Sequence, residues 1–133
     1  MRTLGLEAAA LQCMLERATA LYPQEACGLL VGRAGRVEQA LTCLNRATDR
    51  RVGYLIDPED YLHIEQQVAN AGRQVVGAWH SHPHGDAVPS ETDRQLAWPD
   101  WHYLILGFRG RLPSQCRAWI LNESAFEEEI IQP

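Results

Sequence analysis

Fourteen residues, His80-Ser81-His82-Pro83-His84-Gly85-Asp86-Ala87-Val88-Pro89-Ser90-Glu91-Thr92-Asp93, follow directly on the apolar run Val75-Val76-Gly77-Ala78-Trp79. A short apolar run ending in a polar, proline-stiffened stretch predicts a buried strand that opens at a loop. Histidines two positions apart at a strand end point to the same face, with their backbones roughly 7 Å apart. Two imidazoles so placed can converge on one metal ion. Pro83 then ends strand pairing and fixes the exit of the chain. The pair alone is a weak signal, since most such pairs are ordinary core or surface histidines. Ser90-x-x-Asp93 also carries two meanings. It has the pattern of a helix capping box, with Ser90 as N-cap, and it places a carboxylate where a third metal ligand would stand. The two are compatible, because a cap fixes where Asp93 points.

The remaining chain predicts elements that can hold such a strand. Leu4, Ala8, Leu11, Leu15, Ala18 and Leu21 recur every three or four residues, which predicts one helix over 4–21, stopped by Pro23. Ala26 to Val31 predicts a strand, and Val37 to Leu44 its antiparallel partner across Gly32 and Gly35. Asn45 to Gly53 is polar and Arg-rich, a loop, with a short strand expected at Tyr54-Leu55-Ile56. Asp57-Pro58 starts a helix that runs to about Ala71, with Tyr61, Ile64, Val68 and Ala71 inward and Gly72 at its end. A second helical segment spans Ser90 to Trp98, and strands follow at 102–108, 116–121 and 126–131. Helices alternating with strands and hairpins give an α/β (α+β) class: a mixed, mostly antiparallel sheet flanked by helices.

At 133 residues with 46% apolar side chains, the expectation is one domain over 1–133 with a real core. A formal charge of −5 argues against a nucleic-acid partner. Neither a leader-type apolar run near the start nor a stretch of about 20 apolar residues is seen, so a cytoplasmic protein without membrane contact is expected. Cys13, Cys27, Cys43 and Cys116 are widely spaced, with no Cys-x-x-Cys, and read as free packing thiols.

His80-x-His82, seven residues, Ser90, two residues, Asp93, with Glu25 upstream in Glu25-Ala26-Cys27-Gly28-Leu29-Leu30, resembles residue by residue the motif of the JAMM (MPN-plus) metalloproteases. Asn45, Tyr54-Leu55-Ile56-Asp57-Pro58 and Tyr103-Leu104-Ile105-Leu106 extend the resemblance over most of the chain. It implies a cytidine-deaminase-like MPN domain and one zinc per chain on His80, His82 and Asp93. It further implies that Glu25 acts as the base on water at the zinc and that Ser90 donates to the oxyanion. His84 and Asp86 are expected to face solvent or substrate, Cys27 to pack, and Trp98 and Trp101 to cover the turn at Pro99.

Only 49 residues separate Asp57 from Leu106, which leaves little room for the insertions of the deubiquitinases, so the chain resembles the small stand-alone form. That form implies hydrolysis of a peptide or isopeptide bond at the C-terminal tail of a ubiquitin-like or sulfur-carrier protein, with a homodimer among the allowed assemblies. Such a tail is expected to pair with a sheet edge beside the metal. Arg46, Arg50 and Arg51, the only basic cluster, are expected to hold an acidic partner or a terminal carboxylate. The alternatives are a non-enzymatic MPN scaffold, whose inactive members lack one or more of the Glu, His and Asp residues, and a peptidase on cell-wall or phage-associated peptides.

Overall fold

The computed structural model describes residues 2–133. Its strands are β1 (Thr3–Leu6), β2 (Cys27–Arg33), β3 (Arg36–Cys43), β4 (Gln74–His82), β5 (His102–Arg109), β6 (Leu112–Asn122) and β7 (Ala125–Gln132). Its helices are α1 (Ala8–Leu21), α2 (Pro58–Asn70) and α3 (Glu91–Leu96). The mixed sheet is present, and it closes into a barrel in the order β1-β3-β2-β4-β5-β6-β7. β1 makes the closure by pairing in parallel with both β3 and β7. β4 and β5 are also parallel, joined through α3, and the other neighbours are antiparallel.

Three expectations are corrected here. The helix expected from Leu4 begins at Ala8, because Leu4 and Leu6 are alternate inward residues of a strand. Two apolar residues two apart satisfy a strand and can still be fitted into a helical stripe, so periodicity alone misassigns them. Tyr54-Leu55-Ile56 forms no strand. Asn45 supplies hydrogen bonds that a neighbouring strand would have supplied: its Oδ1 accepts from the Leu55 amide at 3.1 Å. Closure also leaves β4 flanked by β2 and β5, so β4 offers no free edge of the expected kind.

Alternation along the strands builds one core on each face of the sheet. Leu30, Trp79, Leu104 and Leu106 face α1 and pack on its buried stripe Ala10, Met14 and Ala18. Cys27, Leu29, Ala78, Tyr103 and Ile105 face the other way, toward Tyr61 and Ile64 of α2. Asp57 caps α2, its side chain accepting from the Glu59 amide at 2.8 Å. Gly72, at φ +74°, ends the helix in the left-handed conformation that glycine adopts freely.

The register of β2 against β4 depends on one absent side chain. Trp79, fully buried, crosses Gly28 so that its indole N–H donates to the Leu41 carbonyl at 2.9 Å. A Cβ on Gly28 would lie 1.7 Å from that carbonyl oxygen and 2.4 Å from the indole nitrogen. Gly28→Ala is therefore expected to cost about 3 kcal/mol, read as a lower urea midpoint with an unchanged slope. A midpoint equal to that of the parent would contradict this packing.

Candidate metal centre and active site

The β2–β4 register assembles the site. Cys27 lies opposite His80, so the antiparallel pairing carried two residues further brings Glu25 beside His82. Ser81 fastens this junction: its amide donates to the Ala26 carbonyl at 3.0 Å, and its buried hydroxyl accepts from the Ala26 amide at 2.8 Å. Glu25 is held at both backbone ends. Its amide donates to the Arg50 carbonyl at 2.6 Å, and its carbonyl accepts from Asn45 Nδ2 at 3.0 Å. The same Asn45 amide group donates to the Gly53 carbonyl, which ties the 45–57 loop to the base of the site.

From the other side α3 presents Asp93. Ser90 and Asp93 form the reciprocal capping box: Ser90 Oγ accepts from the Asp93 amide at 3.0 Å, and Asp93 Oδ2 accepts from the Ser90 amide at 2.9 Å. Capping and site geometry thus use the same two residues. Asp93 Oδ2 reaches to 3.2 Å from His80 Nε2 and 3.1 Å from His82 Nε2, and the two imidazole nitrogens are 3.0 Å apart. A ligand atom of Glu25 stands within 4.8 Å of those of both histidines.

The chemistry of this donor set fits a zinc ion. His82 Nδ1 lies 2.8 Å from the Asp86 carbonyl, which as a hydrogen bond donated by the ring leaves Nε2 with a bare lone pair. The carboxylate oxygen is also an acceptor, so the three mutual contacts cannot all be hydrogen bonds. A cation at their centre resolves the crowding of lone pairs. A tetrahedron with such edges has its centre about 1.9 Å from each corner, close to the ~2.0–2.1 Å of zinc–nitrogen bonds. His80 is 1% exposed and stacked on Tyr54 with ring centroids 4.3 Å apart, so its position is set by packing.

Electrostatics divides the acids. Burial pushes the Glu25 carboxyl up to about 7; the Asp93 charge adds to the rise and His82 opposes it. For Asp93 burial works in the same upward direction, but contacts with His80 and His82 outweigh it and hold the group well below the usual carboxylate range. His80 is lowered, chiefly by burial. Two carboxylates pushed apart in this way suit different tasks, one as proton carrier and one as permanent anion. Cys27 is not a nucleophile: burial, with neighbouring Cys43 and Glu25, raises its thiol to about 12.

A cavity of about 420 Å³ lies over this group, lined by Glu25, Arg51, Tyr54, His82, Ser90 and Asp93 among others. Through Tyr54 and Leu96 it meets an apolar groove of about 450 Å³ whose walls include Tyr61, Leu62, Trp98 and Trp101. Trp98 is 54% exposed and forms a wall of that groove. The three arginines separate. Arg46 leans toward Asp57 at 3.8 Å, Arg50 contributes its carbonyl to Glu25, and only Arg51 lines the cavity. His84 lines it too, its ring edge-on to Tyr22.

Sequence reasoning missed Ser81 and the contribution of Asp86, which acts through its carbonyl. A hydroxyl between two same-face histidines must point into the opposite, buried side and find a partner there, so Ser81 was recoverable. A carbonyl four residues along a loop was not. The four free thiols are as expected, although only Cys27 and Cys43 are buried. Among the described residues no helix is long and apolar enough to cross a membrane.

The fold and this site together define a JAMM-type peptidase: a mixed sheet with flanking helices that carries a His-x-His…Asp donor set and a buried glutamate. Residues 7–122 match the profile of prokaryotic homologues of the JAB domain, and the chain belongs to that family. It is 44% identical over 93 residues to a desampylase of Haloferax volcanii, covering 68% of this chain and 67% of the relative. It is 31% identical over 131 residues to the CysO-cysteine peptidase of Mycobacterium tuberculosis, covering 96% and 89%. Among solved structures, a protein from Desulfitobacterium hafniense superposes with a TM-score of 0.85 at 29% identity, covering 98% of this chain and 92% of the other.

Proposed function

We propose that the protein is a zinc-dependent peptidase that hydrolyses the bond at the C-terminal tail of a ubiquitin-like sulfur-carrier protein. The observation that carries this is the meeting of three potential ligand atoms at 3.0–3.2 Å with a buried glutamate beside them. Relatives named desampylase and CysO-cysteine peptidase support the substrate class. His80, His82 and Asp93 would hold one zinc ion. Zinc in such a site supplies a Lewis acid for the carbonyl and lowers the pKa of water toward 7.

Glu25 takes the proton from the attacking water and returns it to the leaving amine. Burial raises the Glu25 carboxyl in the metal-free protein, which favours its taking up a proton, and its place beside His82 suits it to both transfers. The Ser90 oxygen is occupied as an acceptor by the Asp93 amide, which leaves its proton to donate to the developing oxyanion. Tyr54, stacked on His80, shields that ligand from solvent. The carrier's tail approaches along the apolar groove that meets the site at Tyr54 and Leu96, which replaces the absent strand edge as its seat. All four residues whose loss marks scaffold members are present and brought together.

The test is incubation of the zinc-loaded protein with each ubiquitin-like and sulfur-carrier protein of its own genome, extended beyond the Gly-Gly end, with intact-mass readout. At least one carrier is expected to be cut to its Gly-Gly terminus. Carriers left whole by protein shown to hold zinc would overturn this reading.

A further inference from the structure

The position of Arg51 speaks to which bond is cut. Resting on the peptidase reading above, we propose that Arg51 receives the free α-carboxylate of the leaving residue, so that the enzyme releases a single C-terminal amino acid in preference to opening an isopeptide. Hydrolysis breaks the C–N bond, joins the water oxygen to the carbonyl carbon, and carries a water proton through Glu25 to the departing nitrogen. The leaving amine therefore lies within hydrogen-bond reach of Glu25, and Glu25 marks the leaving-group side of the cavity.

The loop that bears Arg51 is anchored on that side. The Glu25 amide donates to the carbonyl of Arg50, the residue immediately before Arg51. Asp49 Oδ1 accepts from the Arg51 amide at 3.1 Å, which makes the approach a defined turn. Arg51 lines the same cavity as Glu25, His82 and Ser90, and it is the only Lys or Arg among the residues lining it. Its guanidinium has no ion pair or hydrogen bond among the described residues, unlike Arg36, Arg73, Arg94 and Arg117. A permanently charged fork with no internal partner, on a residue that shares a cavity with the proton donor for the leaving amine, suits an anion on that leaving group. In an α-amino acid the carboxylate sits about 3 Å from the amine, two bonds away through Cα. In a lysine isopeptide the corresponding carbonyl is several bonds more distant and carries no charge.

The experiment uses a sulfur-carrier protein of the same genome bearing one alanine after Gly-Gly, made with a free carboxylate and, by intein ligation, as the carboxamide. Wild-type enzyme is expected to cut the carboxylate form with about 10- to 100-fold higher kcat/KM, the range of one charge-assisted contact. Arg51→Gln is expected to erase that difference by slowing only the carboxylate form, and Arg51→Lys to restore part of it. Unchanged turnover of the carboxamide shows that the variant is folded. In the Glu25→Gln protein the same preference is expected in Kd, measured without turnover. Equal cleavage of both forms by wild type, or equal loss on both in Arg51→Gln, would overturn the role of Arg51 and leave the peptidase reading standing. Cleavage of neither form would overturn both.

Discussion

Glu25→Gln is expected to lower kcat by about 10³- to 10⁴-fold while the protein still binds zinc, because the substitution removes a proton carrier and keeps the shape of the site. The same change should make the metal-free protein more stable at high pH. Burial raises the folded-state pKa of Glu25 from 4.5 to about 7. Below pH 4.5 the group is protonated in folded and unfolded chains alike, and Gln has no advantage. Between 4.5 and 7 the unfolded chain loses its proton first, so the parent protein pays increasingly to fold. Above 7 the difference is constant, at about 3 kcal/mol for a shift of this size. Melting of the two metal-free proteins should therefore coincide near pH 4 and separate by several degrees at pH 8, with the variant higher. Full activity in the variant, or a parent more stable than the variant at pH 8, would refute the assignment of Glu25 as a buried proton carrier.

Removal of the third ligand is the second large effect. Asp93 Oδ2 contacts both imidazoles and also accepts from the Ser90 amide, so Asp93→Ala removes a donor and half of a helix cap together. The wild type should melt higher with zinc, by about 2.7 kcal/mol when the metal is at 100 times its Kd, and chelation should reverse the gain. Asp93→Ala should lose the zinc response and the cleavage activity. Its metal-free form should also lose stability at pH 7, by more than the ~1 kcal/mol of a helix cap, because the contacts with His80 and His82 that hold the carboxyl low are lost with it. Ser90→Ala separates the two contributions: the zinc response should persist, because the Ser90 amide that holds Asp93 Oδ2 is still there. A zinc-dependent melting shift that survives in Asp93→Ala would exclude Asp93 as a ligand.

Much of this was legible along the chain because the relevant physics is local. The strand leading into His80, the same-face placement of His80 and His82, the Asp57-Pro58 helix start and the Ser90–Asp93 box each depend on neighbours a few residues away. The errors fell where partners are distant. Leu4 and Leu6 form a strand only because β3 and β7 come to either side of them, and Tyr54–Ile56 is held by Asn45 where a strand would have been paired. The three arginines looked alike as a cluster, yet Arg50 gives its carbonyl to the Glu25 amide and only Arg51 lines the cavity, a division set by partners distant in sequence.

The stretch from His80 to Asp93 determined by itself that two imidazoles share a face and that a capped carboxylate follows them, since strand and helix geometry act over two to four residues. Where Glu25 stands was decided only by tertiary structure. It lies beside His82 because β2 and β4 pair in one register, which Gly28 permits and Ser81 fastens to Ala26. The rise of its pKa is likewise a property of the fold, because desolvation depends on every element that covers the group rather than on the residues next to it.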